Sequence, residues 1–244
     1  MNSLDSRAVL VTGAGSGLGA AIAARLVGAG ARVALLDIGL AKADRVAGQI
    51  DPGGGRTFTL AADVGDPQAV DQAIAAVTER FGGLDVLVNN AGIDVTQSID
   101  EVDVSAWTQV IDTNLLGPFL LCKAALPALR ESDGGRGGHI VNVASTASLR
   151  SWPNASAYHA SKWGLLGLSR ALHSELRSSG IRVGTIVAGG MRTPFLLERF
   201  PDLDPAKLQD PANVAEAVHF MLALTRGSVV SEIMVLPEQE TSWP

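Results

Sequence analysis

Short apolar runs rich in β-branched residues alternate along this chain with longer segments of helical spacing. No other feature limits the possible folds as much. The runs are AVLVTG (8–13), ARVALLD (31–37), RTFTLAAD (56–63), LDVLVNNAG (84–92), GHIVNVAS (138–145), IRVGTIVAG (181–189) and EIMVLP (232–237). Helical spacing covers 17–30, 40–50, 67–81, 103–131, 156–179 and 211–225, with Pro127 bending or ending the fourth of these. A strand that is apolar at consecutive positions is buried on both faces, which is the situation of a parallel sheet between two layers of helices. Regular alternation through right-handed crossovers predicts a doubly wound α/β fold with a parallel sheet of about seven strands, as one domain over 1–244. Ligands of such sheets bind outside the carboxyl ends of the strands, so chemistry is expected just after them.

Composition narrows the function classes. A net charge of −6 and a pI near 5.2 argue against a nucleic-acid footprint. The first residues, MNSLDSRAVLVTGAG, hold no run of signal-peptide length, and no run approaches the roughly 20 apolar residues of a membrane span. A soluble, cytoplasmic protein with no membrane partner is expected. The one cysteine, Cys122, cannot form a disulfide or a cysteine metal cluster within the chain. It sits in the apolar LLGPFLLCKAAL and is expected in the core, and no metal site is expected.

The first strand runs into TGAGSGLG (12–19) directly before a helix. Gly13, Gly17 and Gly19, with Ser16 and Leu18 between them, suit a tight turn that approaches a pyrophosphate at a helix N-terminus. This makes the fold a Rossmann-type dinucleotide binder. Asp37 ends the second strand, where an acid binds a ribose diol or serves as a strand-end acid or helix cap. A 2′-phosphate about 4 Å from that carboxylate would be opposed by about 4 kcal/mol per unit charge at an effective dielectric of 20. The neighbouring positions hold Ser16 and Ile38 rather than a base, so NAD is expected over NADP. Asp63 and Val64 end the third strand, where Asp63 either accepts from an adenine amino group or caps the next helix. Asn90, Ala91 and Gly92 of NNAG suit close backbone approach to a cofactor ribose, or plain turn chemistry.

Ser145 ends the fifth strand, and Tyr158, the only tyrosine, precedes Lys162 by one helical turn. A phenol near pKa 10 is a poor base. An ammonium about 5 Å away would contribute roughly 3 kcal/mol, lowering the phenol by a little over two units. That would bring it toward the pH at which acid–base catalysis is effective.

Together, TGAGSGLG, Asp63, NNAG, Asn114 in DTNLLG, Ser145 and YHASK resemble the short-chain dehydrogenase/reductase family over essentially the whole chain. The resemblance implies an NAD(H)-dependent enzyme interconverting a secondary alcohol and a ketone. It implies Tyr158 as general acid/base, Lys162 lowering the phenol pKa and binding the nicotinamide ribose, and Ser145 positioning the substrate oxygen. Asn114 would hold a water linking Lys162 to solvent. Gly189, Met191 and Thr193, after the sixth strand, would meet the nicotinamide end. Ala188 stands where the family usually has proline, with a looser loop as the expected consequence. The ending SVVSEIMVLPEQETSWP lacks the family's glycine-rich pattern. A homodimer through helices 103–131 and 156–179, or a homotetramer, is implied.

The segment 190–209 follows the sixth strand and is expected to be a substrate lid. Phe195, Leu196, Leu197 and Phe200, with Leu149 and Trp152, either line an apolar substrate pocket or pack the lid on the core. Arg150 and Arg192 read a carboxylate or stay solvated. A catalytically silent NAD(H)-binding regulator on the same fold is the alternative function, but it would not need Asn114, Ser145, Tyr158 and Lys162. A methyltransferase shares the glycine loop and the strand-end acid without needing Tyr158 or Lys162, and nucleotide-sugar epimerases use a longer chain.

Overall fold

A computed structural model describes residues 4–239. The strands are β1 (Ala8–Thr12), β2 (Arg32–Asp37), β3 (Thr57–Ala61), β4 (Val86–Asn89), β5 (His139–Ser145), β6 (Arg182–Ala188) and β7 (Glu232–Val235). They form one parallel sheet in the order β3-β2-β1-β4-β5-β6-β7. The helices are α1 (Gly17–Gly28), α2 (Leu40–Ile50), α3 (Pro67–Phe81), α4 (Val104–Ile111), α5 (Gly117–Gly135), α6 (Ser156–Glu175), α7 (Pro194–Leu197) and α8 (Pro211–Ala223). This is the doubly wound Rossmann-type fold that the apolar runs predict.

Alternate residues of each central strand feed opposite layers. Val9, Val11, Val33, Leu35, Val86 and Val88 pack on α1 and α8 through Ile22, Leu26, Val214 and Val218. Leu10, Ala34, Leu36, Leu87 and Ile140 pack on α3 and α5 through Val70, Val77, Leu121 and Leu129. Truncating any of the fully buried leucines to alanine costs about 2–5 kcal/mol. Cys122 belongs to the second layer, where burial pushes its thiol up to about 12.

The helical segment expected over 103–131 is not uniform. It divides into α4, a widened π turn (Asp112–Leu116) and α5. The π turn carries Asn114, fully buried and bonded to the backbone of Ile93. Such single-turn widenings recur at functional sites. Pro127 does not end α5 but lies within it at an exposed position. Helical dihedrals stop at Ser132, followed by left-handed Asp133 (φ 55) and Gly134 (φ 66). Segment 156–179 likewise closes as α6 plus a 3₁₀ turn (Arg177–Ser179), stopped by left-handed Gly180 (φ 71).

Ala188 stays paired on both sides, with Ser145 and with Val235. The excursion over 190–209 is closed at its base by a Met191–Gln209 bridge, with Arg192 N donating to Gln209 O at 2.9 Å and Gln209 N to Gly190 O at 3.2 Å. Of the atypical ending, residues 240–244 lie outside the described residues. Among the described residues no helix is long and apolar enough to cross a membrane.

Far from the carboxyl ends, His139 begins β5 and is buried beside three arginines. Burial first, then Arg182, Arg7 and Arg226, push its pKa down to about 3. The unfolded chain then binds more protons between pH 3 and 6.5, so this histidine's contribution to stability is lost as pH falls through that window. We expect His139→Gln to flatten the acid limb of unfolding free energy against pH, recovering on the order of 3 kcal/mol near pH 4 relative to the parent's slope. Urea melts from pH 7 to 4 measure it, and an unchanged slope refutes it.

Candidate active site

At the carboxyl end of the sheet a cleft of about 950 Å³ runs from the turn after β1, past the ends of β4 and β5, to the 190–200 segment. It opens beside β1 and β4, neighbours in the sheet from which the strand order runs in opposite directions.

The glycine turn is shaped by backbone demands that only glycine meets. Gly13 (φ 63) and Gly17 (φ 53) are left-handed. A Cβ on Gly19 would stand 2.1 Å from Gly13 O and 2.6 Å from Asn90 Nδ2. Ser16 precedes α1 without a side-chain cap bond, which leaves the first-turn amides as donors for an anion. Leu18 lines the same end.

Asp37 holds this turn in place: Oδ2 accepts from Gly15 N and Oδ1 from Gly39 N, each at 2.9 Å. Each oxygen keeps a further lone pair for a hydroxyl. Asp63 makes a local turn with Gly65 N at 2.9 Å. The cap of α3 is Asp66, not Asp63, which decides against the capping reading of Asp63. Asp63 and Val64 both line the cleft.

Asn90, Ala91 and Gly92 cross from β4 toward the catalytic motif. Asn90 N and Ala91 N donate to Thr12 Oγ1 at 3.0 Å, and Asn90 Nδ2 to Thr12 O at 2.8 Å. Gly92 is a close approach, since a Cβ there would lie 3.4 Å from Asn114 Oδ1 and 3.7 Å from Lys162 Nζ. Asn114 is held by protein partners. Its Oδ1 accepts from Ile93 N at 2.8 Å, and its Nδ2 donates to Ile93 O at 2.8 Å and Ser161 Oγ at 3.0 Å.

Ser145 Oγ accepts from Ala147 N at 3.1 Å, and the Ser145 side chain is close enough to Tyr158 to lower its phenol pKa. The Tyr158 ring packs on Phe195, centroids 5.8 Å apart. Lys162 Nζ lies 5.7 Å from the Tyr158 ring centroid and donates to Val143 O at 2.9 Å. The expected lowering of the phenol does not hold here. Burial pushes Tyr158 up to about 12 although Ser145 lowers it, and burial pulls Lys162 down to about 8. Removal of Lys162 from water outweighs the field of Asp94, which raises it.

Gly189, Met191, Thr193, Trp152, Phe195, Leu196 and Phe200 line the cleft, whereas Leu149 and Leu197 do not. Leu149 follows the 3₁₀ turn after β5 and is half-buried. Arg192 is engaged by Leu208 O and Asp210, and neither it nor Arg150 lines the cleft.

Three features escaped the sequence. Asp94 and Arg199, 105 positions apart, form an ion pair at the cleft. Lys42 and Arg45 reach the Asp37 end from α2. His159 positions Trp152: Nε2 accepts from Trp152 N at 3.0 Å while Nδ1 is bonded to Ala147 O at 3.0 Å. The histidine beside Tyr158 in YHASK was the one available signal, and it says nothing of where the imidazole points.

The family model for short chain dehydrogenases matches residues 7–204. The chain belongs to the short-chain dehydrogenase family. A trans-4-hydroxycyclohexanecarboxylate dehydrogenase of Sinomonas cyclohexanicum is 39% identical over 195 residues, 78% of this chain and 74% of that one. A 3-ketoacyl-(acyl-carrier-protein) reductase from Brucella melitensis, solved with NADH, superposes with a TM-score of 0.87 at 32% identity, covering 97% and 99% of the two chains. A metagenomic short-chain oxidoreductase solved with NADP superposes with a TM-score of 0.84 at 32% identity over 97% and 99%. Named relatives are dehydrogenases of alcohols and polyols. This short-chain dehydrogenase is therefore an oxidoreductase of CH–OH groups with a nicotinamide cofactor.

The glycine turn fits that cofactor, because the space where side chains would stand is filled by backbone and Asn90. Gly19→Ala should displace Gly13 and weaken nicotinamide nucleotide binding at least about tenfold with the fold retained. Titration by nucleotide fluorescence checks this, and unchanged affinity refutes it.

Proposed function

We propose that this short-chain dehydrogenase interconverts a secondary alcohol and a ketone with NAD(H), and that Tyr158 is the general acid/base. The observation that carries the reading is that buried Tyr158, with Ser145 and Lys162 beside it, lines the same cleft as the glycine turn. A nucleotide-sensing regulator would have no use for this trio.

In oxidation the alcohol oxygen sits between the Ser145 and Tyr158 hydroxyls, and its proton passes to the Tyr158 oxygen. The carbinol carbon gives up its hydrogen with both electrons, for which a bound NAD supplies the acceptor. In reduction Tyr158 returns the proton to the developing alkoxide. Lys162, charged below about pH 8, favours the phenolate and would bind the nicotinamide ribose of a cofactor in the cleft. Asn114 contributes by position, since its bonds to Ile93 and Ser161 fix Gly92 against Lys162. Gly189, Met191 and Thr193 hold the nicotinamide end, and Asp63 and Val64 the adenine. Trp152 and Phe195 form the apolar wall, and 190–209 serves as lid.

Replacing Tyr158 by Phe removes one oxygen and should reduce kcat by about 10²- to 10⁴-fold while leaving nucleotide binding measurable. With the phenol held high, the basic form grows with pH through the neutral range. Oxidation kcat/KM should thus rise from pH 7 to 9, whereas reduction, which uses the protonated phenol, should not. An active Phe variant, or oxidation that falls with pH, refutes the role.

Asp37 supports NAD. A 2′-phosphate would meet its carboxylate, already within a glycine turn, whereas Lys42 and Arg45 are exposed and screened. We expect kcat/KM with NAD to exceed that with NADP at least about tenfold, and Asp37→Ser to narrow the gap. Preference of the parent enzyme for NADP overturns this.

A further inference from the structure

Asp94 lies two residues beyond Gly92 on the loop leaving β4 and lines the cleft together with Tyr158, Lys162 and Phe195. Its side chain is only 7% exposed. Oδ2 accepts from Arg199 Nη1, and Arg199 is held in turn. Arg199 Nε donates to Phe195 O at 2.8 Å, and the guanidinium stands 4.1 Å from the Phe195 ring centroid and 5.5 Å from that of Phe200. The other carboxylate oxygen, Oδ1, is buried without a hydrogen-bond partner.

A buried acceptor left unpaired costs free energy that a fold normally avoids. When such an atom belongs to a cleft-lining residue, the missing donor is one that a bound molecule brings. The charges limit which molecule. Arg199 is already compensated by Asp94, so this wall offers no free cation to an anion. The unpaired oxygen repels an anion and needs an O–H or N–H. An alcohol reacting at Tyr158 supplies an O–H there only if it carries a second hydroxyl.

Resting on the reading of Tyr158 given above, the geometry points to Asp94 as a specificity-determining acceptor for a second substrate hydroxyl. The substrate class is then neutral diols and polyols with their hydroxyketones, in preference to simple alcohols and hydroxy acids.

The test is a matched series sharing one CH₃–CH(OH) group: 2-butanol, 2,3-butanediol, 1,3-butanediol and 3-hydroxybutyrate. In the parent enzyme the better diol should exceed 2-butanol in kcat/KM by at least about tenfold, with 3-hydroxybutyrate the poorest. In Asp94→Ala the diol-to-monoalcohol ratio should fall to near one. Turnover of 3-hydroxybutyrate should rise relative to 2-butanol, because Arg199 loses its counter-charge. Asp94→Asn preserves side-chain volume and should also relax the exclusion of 3-hydroxybutyrate, so the proposal does not hang on one variant's folding. A parent ratio near one, or a ratio that neither variant moves, overturns it. Turnover of 2-butanol without any diol advantage removes only the role of Asp94. If no alcohol in the series is oxidised in a Tyr158-dependent way, the reading of the active site fails and this inference falls with it.

Discussion

The Thr12 hydroxyl fastens the two strands at which the sheet divides. Buried to 1% exposure, it accepts the amides of Asn90 and Ala91 at 3.0 Å and lies 3.4 Å from Val88 O. Strand order runs outward in opposite directions from β1 and β4, so the chain leaving each turns to a different face and a crevice opens between them. Without this tie the glycine turn and the NNAG segment would have no common reference. With it, the Gly13 main chain packs against Ala91, and Gly92 is set against Asn114 and Lys162.

A second polar line fixes the helix bearing the acid/base pair. Asn89 Nδ2 donates to Asn142 Oδ1 at 2.8 Å, Asn142 Nδ2 to Ser169 Oγ at 2.9 Å, and Ser169 Oγ to Leu165 O at 2.7 Å. β4, β5 and α6 are thereby coupled through directional bonds in a core that is otherwise apolar. Directional bonds resist the small rotations that dispersion contacts tolerate. That rigidity suits a site whose reacting groups must hold position to within fractions of an ångström.

Much of this was legible in the sequence, because the signals were local or strictly periodic. Two-sided apolar runs announced a parallel sheet, and a strand running into TGAGSGLG announced the turn. Helical geometry put Tyr158 and Lys162 on one face. What escaped depended on the third dimension. The π turn at Asp112–Leu116 has no signature in spacing, and Leu149 was assigned to the cleft because sequence proximity to Ser145 does not give direction. The expected sign of the Tyr158 shift came from counting a neighbouring charge, whereas the folded chain removes both groups from water. Asp94 and Arg199 meet only because the loop after β4 and the lid converge.

Cys122 carries a consequence for how the molecule behaves outside the assay. Nucleophilic sulfur chemistry requires the thiolate, and burial has moved that form out of reach at any physiological pH. The sole sulfhydryl of the chain is packed between α5 and the sheet and hydrogen-bonded by Asn89. Thiol-exchange and thiol-directed alkylating reagents therefore find no ready handle on this enzyme.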